Sequence, residues 1–264
     1  MHPVDDPLHS IVNRERHPIR SEVYSNQCRD TLAREGVLVL HDFLTPSAIA
    51  TIRHEGEASQ HRAFYSTQTH NVYLAPADPS FPADHPRNRA VVSSKGCIAD
   101  DVVPPDSPLR ALYESDVFRE FLCGVLGERA LHPYADPLSS INLHYASAGQ
   151  ELGWHFDNSA FAITLMIQPP ERGGAFEYLG GVRLDEHGED DFDAVARVLD
   201  REVEPLRLTL GAGALVLFRG RNAMHRVAPV EGDRTRMLAV LAYNAKPDIS
   251  LSESARMTFY GRLD

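Results

Sequence analysis

The chain has 264 residues, a length that suits one domain with a sizeable core, and a net charge of −11. That acidic balance disfavours a nucleic-acid partner, because a phosphate backbone requires a basic face and the only mildly basic stretches, Arg14 to Arg20 and His85 to Arg89, are short. Three scattered cysteines, Cys28, Cys97 and Cys123, form no CxxC pair and speak against a disulfide framework or zinc knuckle, while the absence of a long apolar run and of a signal-like start at Met1 to Pro7 leads to the expectation of a cytoplasmic protein without a membrane partner.

Ahead of residue 136 the pattern reads as helices and loops. Thr45 is placed as the N-cap of a helix with Pro46 in its first turn, where a missing N–H costs nothing. Ala75 to Pro105, rich in Pro, Asp, Asn and Ser, reads as a long irregular stretch, and such a length inside a compact domain is expected to be a lid over a reactive centre. Within it Arg87 and Arg89 are candidates to pair with a substrate carboxylate, weighed against the plainer reading of surface arginines. Asp106-Ser107-Pro108-Leu109 opens a second helix, whose apolar positions Leu112, Val117, Phe118, Phe121, Leu122 and Leu126 follow a helical stripe. Both helices should brace the outside of one sheet.

From residue 136 to 246 the periodicity is that of strands. Ile141-Asn142-Leu143-His144-Tyr145 alternates, which puts Asn142 and His144 on one face. In Trp154-His155-Phe156-Asp157 the same alternation points His155 and Asp157 one way while Phe156 enters packing, so the pair can hold one metal. A histidine followed two residues later by a carboxylate is common by chance. The second example here, His187-Gly188-Glu189, sits in an acidic run that reads as a solvated loop. His155 differs in context: an apolar strand at Phe161 to Ile167, a turn at Pro169 to Gly174 and a strand at Ala175 to Tyr178 follow it. Leu206 to Leu210 and Ala214 to Phe218 read as strands around Gly211-Ala212-Gly213, and His225 lies just beyond them. After a turn at Glu231-Gly232-Asp233 the last strand begins with Arg234 and Arg236 on one face and continues as apolar sequence to Tyr243. Two imidazoles and one carboxylate form a facial set that binds iron(II) and leaves its opposite face open. An arginine entering a barrel interior needs an anion.

Over roughly Ile141 to Asn244 these elements, His155-x-Asp157, His225 and arginines nine and eleven residues later, resemble the iron(II)/2-oxoglutarate-dependent dioxygenases. The phrases Trp154 to Phe161, Gly173 to Tyr178 and Thr258-Phe259-Tyr260-Gly261-Arg262 resemble a narrower branch that contains free-amino-acid halogenases, lysine chlorinases among them, and similar hydroxylases. The resemblance implies one domain, mainly β with flanking helices: bracing elements at 1–135 with the lid at 75–105, a double-stranded β-helix core of jelly-roll or cupin-like type at 136–246, and a tail at 247–264 packing on that core.

It implies iron(II) as cofactor, 2-oxoglutarate as co-substrate and O2, with His155, Asp157 and His225 as metal ligands. The far carboxylate of 2-oxoglutarate falls to Arg236 or Arg234, with Arg236 preferred because an uninterrupted apolar strand begins after it; Asn142 or His144 is a further co-substrate contact or part of a structural network. Asn158 and Trp154 join Arg87 and Arg89 as candidate substrate contacts. In the halogenases glycine replaces the carboxylate ligand and chloride takes the vacated site. Asp157 fills that site itself, so the implied outcome is hydroxylation of an unactivated C–H bond of a free L-amino acid, lysine-like or otherwise polar, with release of succinate and CO2. A cupin-like barrel that binds metal without turnover is the rival reading, disfavoured by the interior arginine. Substrate identity, stereochemistry and oligomeric state stay open, a homodimer included.

Overall fold

The structure, a computed structural model, describes residues 7–183 and 191–264, so His187-Gly188-Glu189 and residues 1–6 lie outside the described residues. Side-chain hydroxyls start the helices of the first half. Ser21 caps α1 (Glu22–Glu35), Thr45 caps α2 (Pro46–Ser59), Ser107 caps α3 (Pro108–Glu114) and Ser115 caps α4 (Asp116–Leu126), each accepting a backbone N–H of the first turn. The stripe expected to form one helix from Pro108 to Leu126 is therefore two. Ser115 adopts φ −67° and ψ 123°, outside helical geometry, and its hydroxyl begins α4.

The strands are β1 (Val37–Leu40), β2 (Phe64–His70), β3 (Val91–Ile98), β4 (Ile141–Ala146), β5 (Leu152–His155), β6 (Ala162–Gln168), β7 (Arg172–Gly173), β8 (Phe176–Leu179), β9 (Leu206–Leu208), β10 (Leu215–Phe218), β11 (Met224–Val227), β12 (Val230–Glu231) and β13 (Arg236–Leu241). Helix α5 (Phe192–Leu199) precedes β9, and α6 (Glu253–Tyr260) follows β13. Seven strands form one sheet in the order β1-β10-β6-β13-β4-β3-β2, and four form a second in the order β5-β11-β8-β9; β7 and β12 pair as a short ribbon. All the pairings are antiparallel, the arrangement of a jelly roll.

Strand alternation sorts the large sheet into two faces. Ile141, Leu143 and Tyr145 join Met237, Ala239 and Leu241, together with Ile163, Leu165, Leu215 and Leu217, in a core packed on Leu32, Ile52, Leu112, Phe118 and Leu122 of the helices. The opposite face, with Asn142, His144 and Arg236, turns toward the small sheet, where Val216 and Phe218 meet Tyr178 and Ala223. The interior between the sheets thus holds the polar residues, and the helices back the apolar side.

Two expectations change here. Ala75 to Pro105 is not one irregular lid: Val91–Ile98 forms β3, paired with both β2 and β4, and Val102 and Val103 enter the helix-side core. Its longest irregular run is residues 75–90, ahead of β3. The first half is also more than helices and loops, since β1, β2 and β3 extend both edges of the large sheet. Among the described residues no helix is long and apolar enough to cross a membrane. Tyr260 donates its hydroxyl to Asn142 Oδ1 at 2.9 Å, and Gln68 Nε2 donates to the Thr258 carbonyl at 3.3 Å.

Candidate metal centre

His155 ends β5 and His225 lies on β11, and the antiparallel register sets these two residues opposite each other. Past His155 the chain is pinned on both sides: the Phe156 N–H donates to Val72 O at 2.8 Å and the Asp157 N–H to Gly220 O at 3.0 Å. Asp157 is thereby brought back over the imidazoles, with Oδ1 3.7 Å from His155 Nε2 and 3.5 Å from His225 Nε2. The three donor atoms all lie within 4.8 Å of one another. Gly220 makes room for this, because a Cβ there would lie 2.6 Å from Asp157 Cγ and 3.0 Å from its Cβ.

Both imidazoles are turned alike. Each Nδ1 faces the carbonyl two residues earlier, Gly153 O at 2.8 Å and Ala223 O at 2.9 Å. A carbonyl only accepts, so each Nδ1 carries the proton and Nε2 is the nitrogen presented to a metal. Phe218 and Phe176 hold the His225 ring at centroid distances of 4.8 and 5.5 Å. Burial, reinforced by His225, pushes His155 down to about 3, so it is neutral at neutral pH as ligation requires. Burial works against the Asp157 carboxylate, yet the hydrogen bond and charge of His225, with His155, hold its carboxyl below the ordinary value. Two imidazole nitrogens and one carboxylate oxygen on one side, with the His155 and Asp157 side chains still 14% and 23% exposed, fit iron(II) bound on one face.

Arg236 opens β13 opposite Ala146, on the interior face, and is 4% exposed. Its Nε is buried with no hydrogen-bond partner among the described residues, and burial lowers its pKa to about 10. An unanswered guanidinium N–H in the interior suits a carboxylate arriving from outside. Arg234 does not share that face. It precedes the strand, is exposed, and donates to Pro170 O at 3.1 Å.

The other candidate residues divide. His144 faces the interior with Lys95 Nζ 3.1 Å from its Nδ1, and burial, then Lys95 and Arg236, push its pKa well below the ordinary value. Asn142 is engaged: it donates to Leu138 O at 3.0 Å and accepts from Tyr260, so it ties β4 to α6. Trp154 lies on the face of β5 opposite His155, buried with Val72, Phe156, Val195 and Met224, and the Arg226 guanidinium sits 4.9 Å over its ring. Asn158 is exposed, its carbonyl held by Arg221 at 2.7 Å. Arg89 pairs with Asp200 at 2.7 Å and so ties residues 71–90 to the end of α5. Arg87 stacks 4.9 Å over Tyr73 and donates to Pro76 O at 3.3 Å, while its buried Nη1 has no partner among the described residues.

Sequence reasoning missed a set of neighbours on β2 and β3. The His70 ring stands edge-on to His155 at 6.3 Å and its Nε2 lies 2.7 Å from Ser93 Oγ, which also accepts the Gly153 N–H at 3.0 Å. Gly153 is the residue whose carbonyl orients His155, so this chain of contacts steadies that imidazole. Lys95 is the other omission. Its signal was present, since it is the one charged residue between Ala90 and Ala99.

No curated protein matches the chain by sequence. Solved structures share its fold at low identity. An oxidoreductase of the 2OG-Fe(II) oxygenase family from Burkholderia pseudomallei is 14% identical with a TM-score of 0.54, over 86% of this chain and 93% of that one. The non-heme alpha ketoglutarate dependent epimerase SnoN from nogalamycin biosynthesis is 13% identical with a TM-score of 0.59, over 84% and 81%. A Pseudomonas putida prolyl-4-hydroxylase is 14% identical with a TM-score of 0.51, over 82% and 96%. A family model described as Halogenase D matches residues 21–259. With that match spanning most of the chain, the chain belongs to the Halogenase D family, and its His155, Asp157 and His225 donors gather at one point.

Proposed function

We propose that this protein is an amino-acid hydroxylase, which uses 2-oxoglutarate and O2 to hydroxylate an unactivated C–H bond of a free L-amino acid with a lysine-like or other polar side chain, releasing succinate and CO2. The observation that carries this reading is Asp157: its carboxylate lies against both imidazoles in a space kept open by Gly220. Iron(II), when bound, supplies the activation of dioxygen. His155, His225 and Asp157 hold it, and the Nδ1 contacts to Gly153 and Ala223 keep both rings turned toward it. Arg236 takes the far carboxylate of 2-oxoglutarate, since the unpartnered Nε and the absence of solvent around it favour a bidentate anion. Phe176, Tyr178 and Phe218 wall the interior and exclude water. Arg87 is the candidate for the substrate carboxylate because its buried Nη1 has no partner among the described residues.

The name of the matching family model favours a second reading, halogenation. Asp157 opposes it, because a carboxylate ligand fills the coordination position a halide needs. The test is succinate release with iron(II), ascorbate, 2-oxoglutarate and oxygen across the twenty amino acids, followed by mass spectrometry. A product heavier by one oxygen atom derived from O2 is expected. Chlorinated product from the unaltered protein overturns the hydroxylase reading, and the absence of 2-oxoglutarate turnover with every amino acid and simple derivative overturns the amino-acid assignment.

A further inference from the structure

The interior face that bears Arg236 carries a second cation. Gly96 of β3 pairs with Tyr145, so Lys95 stands beside Ala146, the residue that Arg236 pairs with from the other side. With neighbouring strands about 4.8 Å apart, the two basic residues start about 10 Å apart across one intervening strand, within reach of a shared ligand. Lys95 Nζ lies 3.1 Å from His144 Nδ1. An ammonium only donates, so the imidazole is the acceptor. Phe259 of α6 covers the ammonium, its ring centroid 4.8 Å away. Among the described residues no carboxylate lies within ion-pair distance of Lys95 or Arg236.

This arrangement is a poor structural element. Burial penalises the Lys95 charge, while Cys97 and then Asp157 act on it attractively and Arg236 repulsively. A purely architectural residue at this position would do better as an apolar side chain, since a buried charge with a neutral partner is costly. An ammonium already oriented by an imidazole and an aromatic ring is instead suited to an incoming anion. With iron(II) in place, Arg236 and Lys95 leave a surplus of positive charge that Asp157 and the two carboxylates of 2-oxoglutarate do not fully offset.

We propose that Lys95, presented by His144, is a second carboxylate-binding cation of the interior, acting beside Arg236. The inference rests on the 2-oxoglutarate-dependent reading above. Two carboxylates reach this space, that of the co-substrate and that of an amino-acid substrate, and both would be held by the same ammonium-to-carboxylate hydrogen bond.

Calorimetric titration of the full chain, loaded with iron(II) without oxygen, separates the two. 2-Oxoglutarate is added first, then the amino acid that best supports succinate release. Lys95→Met is expected to weaken one of these by about tenfold or more, and Lys95→Arg to restore most of it. A loss for 2-oxoglutarate assigns Lys95 to the co-substrate, and a loss confined to the amino acid assigns it to the substrate. Wild-type affinity for both in Lys95→Met overturns the proposal. The ligand-free variant should melt at or above the wild-type temperature; a drop of many degrees makes Lys95 a packing residue and also overturns it. Lys95→Gln, which keeps a donor toward His144 without the charge, is a second variant read in the same way. Failure of the wild-type protein to bind 2-oxoglutarate refutes the oxygenase reading itself, whereas normal binding that Lys95→Met leaves intact refutes the role of Lys95 alone.

Discussion

Replacing Gly220 by alanine asks whether the turn before β11 sets the position of the carboxylate ligand. The added methyl would lie 2.6 Å from Asp157 Cγ and 3.0 Å from its Cβ, with Oδ2 nearer still, so Asp157 alone supplies the nearest obstacles. Gly220 is not among the positive-φ glycines, and alanine therefore brings no backbone strain of its own. The turn cannot simply retreat, because the Asp157 N–H donates to Gly220 O at 3.0 Å. Relief comes from rotating the carboxylate off the imidazoles or shifting the turn, at about 1–3 kcal/mol. The metal-bound form needs Oδ1 in place and the metal-free form does not, so the cost falls on metal affinity. At about 1.4 kcal/mol per factor of ten, iron(II) binding should weaken about ten- to a hundredfold. Metal-free melting should move by less than the roughly 2–4 °C that 1 kcal/mol represents in a chain of this size. Anaerobic iron(II) titration against a competing chelator measures the first, and thermal denaturation the second. In an Asp157→Gly background the methyl has room, so Gly220→Ala should there cost nothing. Wild-type affinity in the single variant, or an equal loss in the Asp157→Gly background, refutes the argument.

Arg236→Met should raise the KM for 2-oxoglutarate by about a hundredfold, the worth of a buried charged pair, while Arg234→Met stays within about twofold; succinate release measures both, and equal effects would contradict the interior assignment. Asn142→Ala removes the partner of Tyr260 and should cost about 1–3 kcal/mol in denaturant unfolding with the 2-oxoglutarate KM unchanged; a KM effect without a stability effect would instead place Asn142 in the pocket. His155 has its folded-state pKa depressed to about 3 from 6.5, so the unfolded chain takes up the proton first. Its contribution is therefore complete above about pH 6.5 and declines toward pH 3 by about 1.4 kcal/mol per unit. Denaturation of metal-free wild type and His155→Gln at pH 7 and pH 5 checks this, and a pH-independent difference between them would refute it. Asp157→Gly in the presence of chloride should yield chlorinated amino acid by mass spectrometry, and oxygenation alone would show that the carboxylate is not what keeps halide out.

Legibility in the sequence tracked how local each relation is. His155 and Asp157 were readable because two residues of extended chain face the same way whatever else the fold does, and His225 because it stands next to an apolar strand. Arg234 and Arg236 share that two-residue spacing, but only one enters the interior. The deciding fact is where β13 begins, and that depends on its neighbours: Gln168 Nε2 donates to Thr235 O at 2.9 Å, and the register of β13 on β6 shifts between Met237 and Leu238. Likewise β3 has Ser-Ser-Lys-Gly at its centre and no apolar alternation; it is a strand because β2 and β4 both offer it hydrogen bonds. Lys95 was lost with it. The split of one apolar stripe into two helices at Ser115 depends on both halves still burying their faces, which no local pattern reports.

The relation between Asp157 and Gly220 lies furthest from anything a linear pattern can report, and it bears most directly on the chemistry. Sixty-three residues separate the two positions, which meet because β5 and β11 are neighbours in the small sheet. A glycine at 220 leaves a volume beside the imidazoles, and that volume holds the Asp157 carboxylate. Truncating Asp157 would open this volume to an ion, whereas enlarging Gly220 would expel the carboxylate without offering an ion the room. The two substitutions therefore weaken the same ligand yet should differ in product: halide incorporation becomes accessible to Asp157→Gly and not to Gly220→Ala. If both variants chlorinated alike, the loss of the carboxylate alone would suffice and the space beside it would have no part in selecting the outcome.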